Sequence, residues 1–230
     1  MIRMLLGSLV GLAVLAYLVR RALRERDRRR SEPERFFGRA KALLTDSRFE
    51  DTGSVGLPRL VGHYHGFAVQ VQAVVDTLAT RRLPALWLLM TLQDSLPVRA
   101  RFDLMMRPTG PTTFSNFDLL PVTVPLPADF PEHAVLRTDD AARLLPVHVI
   151  AGHVDVFQST RAKELLITPH GVRIVWLLAE ASRARYGVFR EADFDEADVD
   201  PLVLSDVLDR LIALRHSILE WANPKSGASP

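Results

Sequence analysis

The N-terminal residues form an unbroken apolar run. Met4 to Val19 contains no charged side chain, and Arg3 and Arg20 bound it on either side. As a helix rising about 1.5 Å per residue, this run spans roughly 24 Å, and the flanking arginines can reach the headgroup layers. The pattern predicts a transmembrane anchor over residues 1–19. A cleaved signal peptide is the alternative, with Val14-Leu15-Ala16 as its cleavage site.

Further along the chain, apolar residues alternate with polar ones at the period of two that is typical of strands. Turn-forming residues separate several of these segments. The predicted strands form two hairpins and two single strands: Leu60–Tyr64 with Phe67–Val71, Lys163–Thr168 with Val172–Leu178, Ala85–Leu92, and Val98–Leu104. Because hairpins pair neighbouring strands in opposite directions, the sheet is predicted to be antiparallel.

Other segments show different patterns. Residues 34–45 and 201–221 place apolar side chains three and four positions apart, which predicts helices. The segment 147–157 fits either a helix or a strand. The polar stretch Thr45 to Pro58 is predicted to be a loop, and the proline-rich residues 107–132 an irregular segment that carries interactions.

Hairpins and helices that do not alternate regularly are typical of an α+β fold. We therefore predict a single N-terminal transmembrane helix followed by one domain. This domain has an antiparallel sheet, helices on one side and a long C-terminal helix. The predicted boundaries are 1–19 for the anchor, 20–34 for an arginine-rich juxtamembrane stalk, 35–222 for the soluble domain and 223–230 for a disordered tail.

The formal net charge of +2 conceals a local cluster. Residues 20–30 contain seven arginines, whereas residues 31–230 carry 21 basic and 25 acidic residues. A basic cluster beside the anchor does not indicate a nucleic-acid partner. Seven arginines after the apolar run against one before it disfavour a signal peptide and predict a cytoplasmic C-terminal flank. The predicted location is a bacterial inner membrane, with the domain in the cytoplasm.

The N-terminal segment also predicts partners. Gly7 and Gly11 form a GxxxG pattern, which permits a homodimer through close approach of two helices, although glycine is common in membrane helices. Arginines of the flank predict contact with anionic lipid headgroups, each contributing about 1 kcal/mol. These residues are Arg20, Arg21, Arg24, Arg28, Arg29 and Arg30. A membrane protein of unknown identity is the further predicted partner.

Catalytic motifs are weak in this sequence. It contains no cysteine, which excludes disulfides, thiolate nucleophiles and cysteine-ligated metals. Asp51-Thr52-Gly53 matches the active-site tripeptide of aspartic proteases, but its lead-in, Asp46 to Glu50, is charged where an apolar strand is required. We interpret it as a turn. No phosphate loop, dinucleotide-binding glycine pattern or HExxH motif occurs, and no cofactor is predicted.

Two residue pairs are weaker candidates. His63 and His65 lie two apart on a predicted strand, so their imidazoles face the same way, but no third metal ligand is nearby in sequence. No metal is therefore predicted. Asn116 and Asp118 lie between phenylalanines in the proline-rich segment. They are either ligand-facing residues of an interaction loop or ordinary turn formers.

These patterns predict a location and no reaction. We expect a membrane-tethered cytoplasmic domain that is non-catalytic and acts as an accessory, scaffold or assembly partner. One alternative is a membrane-associated hydrolase, with or without a metal. The other is a domain that binds a lipid or another apolar ligand between its sheet and its C-terminal helix, which requires an elongated apolar cavity.

Overall fold

The computed structural model describes residues 17, 20, 36–51, 57, 59–76, 78, 83–181, 194 and 197–223. Within these residues, nine strands form a single sheet in the order β1-β2-β3-β4-β9-β8-β5-β7-β6, and every neighbouring pair is antiparallel. The strands are β1 (Thr45–Glu50), β2 (Arg59–Tyr64), β3 (Phe67–Asp76), β4 (Ala85–Gln93), β5 (Phe102–Met106), β6 (Val122–Val124), β7 (Ala134–Thr138), β8 (Ala162–Thr168) and β9 (Gly171–Glu180).

Tight turns set the register of two hairpins. β2 and β3 join at His65 and Gly66, whose φ angles of 49° and 83° are both positive. Two consecutive positive φ angles match the twist of paired strands, so Tyr64 faces Phe67 and the remaining pairs follow in register. β8 and β9 join ahead of Gly171, which has a φ angle of 137°.

The helices are short except for the last one. They are α1 (36–41), α2 (Val147–Ala151) and α3 (Pro201–Ala222). α3 begins where the Asp200 carboxylate accepts a hydrogen bond from the backbone N–H of Leu202 at 2.9 Å, and proline at its first position needs no N–H partner. The apolar stripe of α3 packs on β4 and β9.

The sheet has two different faces. The core face packs against α3 and the short helical segments, and it includes Leu88, Met90, Phe102 and Ile174, each 2% exposed or less. Burying an apolar side chain of this size contributes roughly 1.5–3 kcal/mol, so this face contains most of the stabilising core. The opposite face, called the polar face below, carries the intervening strand residues, many of which have polar side chains.

Both edges of the sheet are unsuited to pairing with another chain. The edge strand β1 carries Asp46, Arg48 and Glu50, and the three-residue edge strand β6 lies between Pro121 and Pro125. Charged side chains and prolines at sheet edges oppose pairing with a further strand. The sheet is therefore protected against growth from either edge.

The predicted α+β fold class is wrong. The described residues form a nine-stranded antiparallel sheet with few helices, because segments predicted to be loops extend the sheet. β1 arises from the stretch Thr45 to Pro58, and β6 lies within residues 107–132. The segment 147–157, which fitted either a helix or a strand, is helical, with α2 followed by a 3-10 turn over Val154–Gln158.

The prediction of a single-pass transmembrane protein also requires correction. No helix among the described residues is long and apolar enough to cross a membrane. α3, with 22 residues, carries charged residues such as Asp206, Arg210 and Arg215 between the residues of its apolar stripe. Of the predicted anchor, residues 1–19, only Tyr17 is described, and it is helical and exposed. The membrane and transmembrane description therefore lacks support in the structure.

Replacing Gly38 by alanine should stabilise the fold slightly. Gly38 lies inside α1, and a Cβ atom added there meets no other atom within 4 Å. Alanine restricts the unfolded chain more than glycine does, so Gly38→Ala should raise the free energy of unfolding by about 0.5–1 kcal/mol. Urea denaturation of both proteins measures this difference. A lower midpoint in the variant would show that residues 36–41 do not stay helical in solution.

Candidate functional site

The polar face brings together side chains from six adjacent strands. The register places Gln70, Thr91, Arg173, Leu166 and Asp103 side by side in one row, on β3, β4, β9, β8 and β5 respectively. Alternate residues of a strand point to the same face, so the neighbouring row is also on this face. The second row contains Arg59, Gln72, Leu89, Val175 and Glu164.

Part of the polar face is covered by the loop that follows β5. Phe114 and Phe117 of this loop pack on Leu89, Met105 and Val175 in a second, smaller hydrophobic cluster. The ring of Phe114 also lies 5.0 Å from that of Trp87. The loop thus seals the part of the face where β5, β8 and β9 meet.

Two polar side chains hold this loop to the sheet. The Ser115 hydroxyl donates a hydrogen bond to Glu164 Oε1 on β8. On β7, the Arg137 guanidinium donates to the backbone carbonyl of Asp118 at 3.2 Å and lies over the Phe117 ring at 5.2 Å. The covering loop is therefore attached by both apolar packing and hydrogen bonds.

A pair of carboxyl groups lies beneath the covering loop. Asp103 on β5 and Glu164 on β8 are 1% and 0% exposed. Burial, and then the negative charge of Glu164, raise the pKa of Asp103 to about 9. Burial also raises the pKa of Glu164, while hydrogen bonds from Ser115 and Asp103 oppose that rise. At neutral pH Asp103 therefore holds a proton, which it can donate to Glu164.

Four buried polar atoms of the described residues have no hydrogen-bond partner, and all four belong to the polar face. They are Arg59 Nε, Trp87 Nε1, Asp103 Oδ1 and Glu164 Oε2. A proton shared by the two carboxyl groups accounts for the last two. A shared proton cannot satisfy the two N–H donors, Arg59 Nε and Trp87 Nε1. A buried donor without a partner costs about 1–3 kcal/mol. Arg59 Nε and Trp87 Nε1 therefore remain as enclosed, unpaired donors on this face.

A cleft opens on the uncovered part of the polar face, next to the carboxyl pair. Its volume is about 160 Å³, and its lining contains no carboxyl group. The polar side chains that line it are Gln70, Thr91, Gln93, Thr168, His170 and Arg173. The cleft therefore offers amide, hydroxyl, imidazole and guanidinium groups, which together are rich in hydrogen-bond donors.

Arg173 connects the cleft to the buried carboxyl pair. Its Nε donates to Thr91 Oγ1 at 3.1 Å. Burial lowers the pKa of Arg173, and the charges of Glu164 and Asp103 act in the opposite direction. A guanidinium stays protonated in proteins even so. The positive charges of Arg59 and Arg101 lower the same pKa, so both cations act on Arg173.

A second cleft lies on the core face between α3 and the sheet. Its volume is about 260 Å³, and it is lined by His153, Asp155 and Arg210 together with apolar residues. Beside it, His153 Nε2 and Ser217 Oγ lie 2.9 Å apart, and burial lowers the pKa of His153. A neutral imidazole next to a hydroxyl resembles an activated nucleophile.

Two features argue against nucleophilic catalysis at Ser217. It lies well inside α3, where backbone N–H groups are used by the helix and cannot form an oxyanion hole. Asp155, which could orient the imidazole, is instead bound by Arg210, with Nη1 and Oδ2 2.5 Å apart. The pair is therefore better explained as a hydrogen bond that fastens the 3-10 turn to α3.

The structure separates the two histidines predicted as weak metal ligands. His63 Nδ1 lies 3.8 Å from Asp46, whereas His65 belongs to the turn and its Nε2 lies 4.0 Å from Asp209. The turn breaks the strand alternation on which the shared direction of the imidazoles depended. Within the described ranges, no three histidine or carboxylate groups lie close enough together to hold a metal ion.

Asn116 and Asp118 belong to the loop that covers the polar face. Both are exposed, and Asn116 precedes the 3-10 turn Phe117–Leu119 without capping it through its side chain. Asp118 Oδ1 lies 4.0 Å from the Arg137 guanidinium. These contacts attach the loop to the sheet, and they do not bring the two residues into the cleft.

The candidate residues near the N-terminus fall almost entirely outside the described residues. Arg20 is helical and exposed. Residues outside the described ranges include Gly7, Gly11, Arg21, Arg24, Arg28, Arg29 and Arg30. The proposed helix dimer and headgroup contacts thus remain predictions.

Three residues of the polar face were missed in the sequence. Asp103 lies in the predicted strand Val98–Leu104, and Glu164 and Arg173 lie in the predicted hairpin, with no sign of a shared site. The only sequence signal is that single charged residues interrupt apolar strands, as in Lys-Glu-Leu-Leu-Ile-Thr from Lys163 to Thr168. That signal does not reveal which charged residues become neighbours, because β5 and β8 are distant in sequence.

Comparison with protein-family models, with curated proteins and with solved structures finds no match to this chain.

Proposed function

We propose that the described domain is a non-catalytic accessory domain that binds an anionic segment of a partner protein on its polar face. The observation that carries this proposal is the cleft on that face, whose polar lining consists of Gln70, Thr91, Gln93, Thr168, His170 and Arg173 and includes no carboxyl group. A partner that lies across the face can accept hydrogen bonds from these side chains.

The charge distribution supports an anionic partner. Residues 31–230 carry more acidic than basic residues, yet the positive charges of Arg59 and Arg101 both act on Arg173 on the polar face. Of the two nearby carboxyl groups, at most one is ionised at neutral pH, because the pKa of Asp103 is raised to about 9. A local excess of positive charge on an acidic domain attracts negatively charged partners and excludes basic ones.

The enzyme alternative receives less support. Acid–base catalysis requires titratable groups that reach a substrate, but Asp103 and Glu164 are 1% and 0% exposed and do not line either cleft. The lipid-binding alternative requires an elongated apolar cavity between sheet and helix. The cleft found there measures about 260 Å³ and contains the ion pair between Asp155 and Arg210.

Photo-crosslinking tests the proposal. A photoreactive amino acid at Gln93, an exposed residue of the cleft, is expected to give one dominant adduct in cells that natively produce the chain. Mass spectrometry of the adduct should identify an anionic segment, and raising the salt concentration in lysates should reduce its yield. Arg59→Met should lower the yield several-fold, because this variant removes one of the attracting cations.

The matched control places the same amino acid at Gln158, which is exposed at the end of the 3-10 turn Val154–Gln158. No dominant adduct is expected there. A crosslinked segment that is neutral or basic would contradict the proposal, as would equal adducts from Gln93 and Gln158.

A further inference from the structure

The cleft on the polar face has the size of a single functional group. Sites for drug-sized ligands and cofactors enclose about 300–1,000 Å³, whereas this cleft measures about 160 Å³. It is therefore too small for a nucleotide or a sugar, and large enough for a carboxylate or a phosphate group. A group of this kind would enter the cleft as part of a larger molecule.

The lining of the cleft favours an oxyanion. Arg173 supplies a planar guanidinium, which matches the oxygen atoms of a carboxylate or phosphate through paired N–H donors. The Nε atom of this guanidinium donates a hydrogen bond to the Thr91 hydroxyl. Thr168 and His170 add further polar groups at the turn between β8 and β9.

The surroundings maintain a positive charge at this point. Charged groups of three other strands act on Arg173: Asp103 and Arg101 from β5 and its lead-in, Glu164 from β8, and Arg59 from β2. Because the pKa of Asp103 is raised to about 9, that carboxyl is protonated at neutral pH, and three guanidinium groups face at most one carboxylate. This excess favours a bound anion over a bound cation or a neutral group.

We propose that the cleft lined by Gln70, Thr91, Thr168, His170 and Arg173 is a binding site for one carboxylate or phosphate group. This inference rests on the proposed function, since the group belongs to the anionic segment of the partner. It assigns the anchoring point of that segment to a defined position in the sheet. The partner enters with one oxyanion facing Arg173.

Titration of the full-length chain with acetate and with inorganic phosphate tests this site. Both titrations are followed by NMR at constant ionic strength, with chloride as the reference anion. Saturable shifts at the cleft residues are expected, with a dissociation constant on the order of 1–10 mM for a group of this size. Tighter binding of acetate would assign the site to carboxylates, and tighter binding of phosphate would assign it to phosphorylated side chains.

A charge variant makes the test specific. Gln70→Glu places a carboxylate inside the cleft and is expected to weaken anion binding at least tenfold. Gln158→Glu adds the same charge at an exposed position on another element and should leave the affinity unchanged. Where Gln70→Glu fails to fold, Gln93→Glu at the exposed rim provides the same comparison.

Two results would overturn the oxyanion site. One is the absence of saturable binding of either anion to the folded chain. The other is equal affinity in the cleft variant and in Gln158→Glu. Should the Gln93 crosslink to an anionic segment persist in either case, only the oxyanion site is lost and the proposed function stands. Should that crosslink also fail, the proposed function is lost with it.

Discussion

Gly171→Ala is expected to destabilise the domain by about 3–5 kcal/mol, the range of severe single substitutions. Gly171 begins β9 with a φ angle of 137°, a backbone conformation that side chains with a Cβ atom rarely adopt. An added Cβ atom would lie 2.1 Å from the backbone oxygen of Leu92 and 3.2 Å from the backbone nitrogen of Asp94. These atoms belong to β4 and its end, so they cannot move without breaking the pairing of β4 with β9.

Gly66→Ala separates the two causes of this effect. Gly66 also has a positive φ angle, 83°, but a Cβ atom there meets nothing within 4 Å. Gly66→Ala should therefore lower the free energy of unfolding by only about 1 kcal/mol, from backbone strain alone. Urea denaturation of both variants measures the difference. Equal losses would show that the close approach of β9 to Leu92 does not exist in solution.

The stability of the domain should fall as the pH rises from about 5 to about 9. In the unfolded chain Asp103 ionises around its ordinary pKa of 3.8, whereas burial and the charge of Glu164 raise its pKa to about 9 in the fold. Between these values the folded state holds a proton that the unfolded state has lost. Its contribution is complete below pH 3.8 and is lost as the pH approaches 9, a decrease on the order of a few kcal/mol.

Asp103→Asn should flatten this dependence. The amide can donate to Glu164 as the protonated carboxyl does, but it has no proton to lose in this range. The free energy of unfolding, measured by denaturation at several pH values, gives the slope for each protein. Asp129→Asn, at an exposed position between β6 and β7, removes a similar charge and should keep the wild-type slope. Equal slopes in the wild type and in Asp103→Asn would show that the pair does not hold an extra proton.

The parts of the fold that were predictable are those with strong local periodicity. The helix that begins at Pro201 is seen from Pro201 to Ala222, and Leu204 and Leu211, which mark its apolar stripe, are both fully buried. The hairpin turns at His65-Gly66 and at Gly171 follow from residues that tolerate a positive φ angle. These features depend on interactions between residues close together in sequence.

The strands that were missed have no such local signal. β1, from Thr45 to Glu50, is polar except for Phe49, because it lies at the edge of the sheet and contacts the core through that residue. β6 has three residues between two prolines, so its sequence is that of a loop. Each becomes a strand because a neighbouring strand, β2 for β1 and β7 for β6, offers backbone hydrogen-bonding groups along its edge. The fold class was therefore wrong even where the separate hairpins were placed correctly.

The sequence by itself determined the apolar segments, the tight turns and the C-terminal helix, because these follow from periodicity and backbone preference over short distances. Only the tertiary structure decided what the polar residues do. Asp103, Glu164 and Arg173 become neighbours because β8 inserts between β5 and β9. This strand order places Asp103 beside residues that are more than sixty positions away in the sequence. Burial then changes their protonation, since a carboxyl group loses its hydration only when other parts of the chain enclose it.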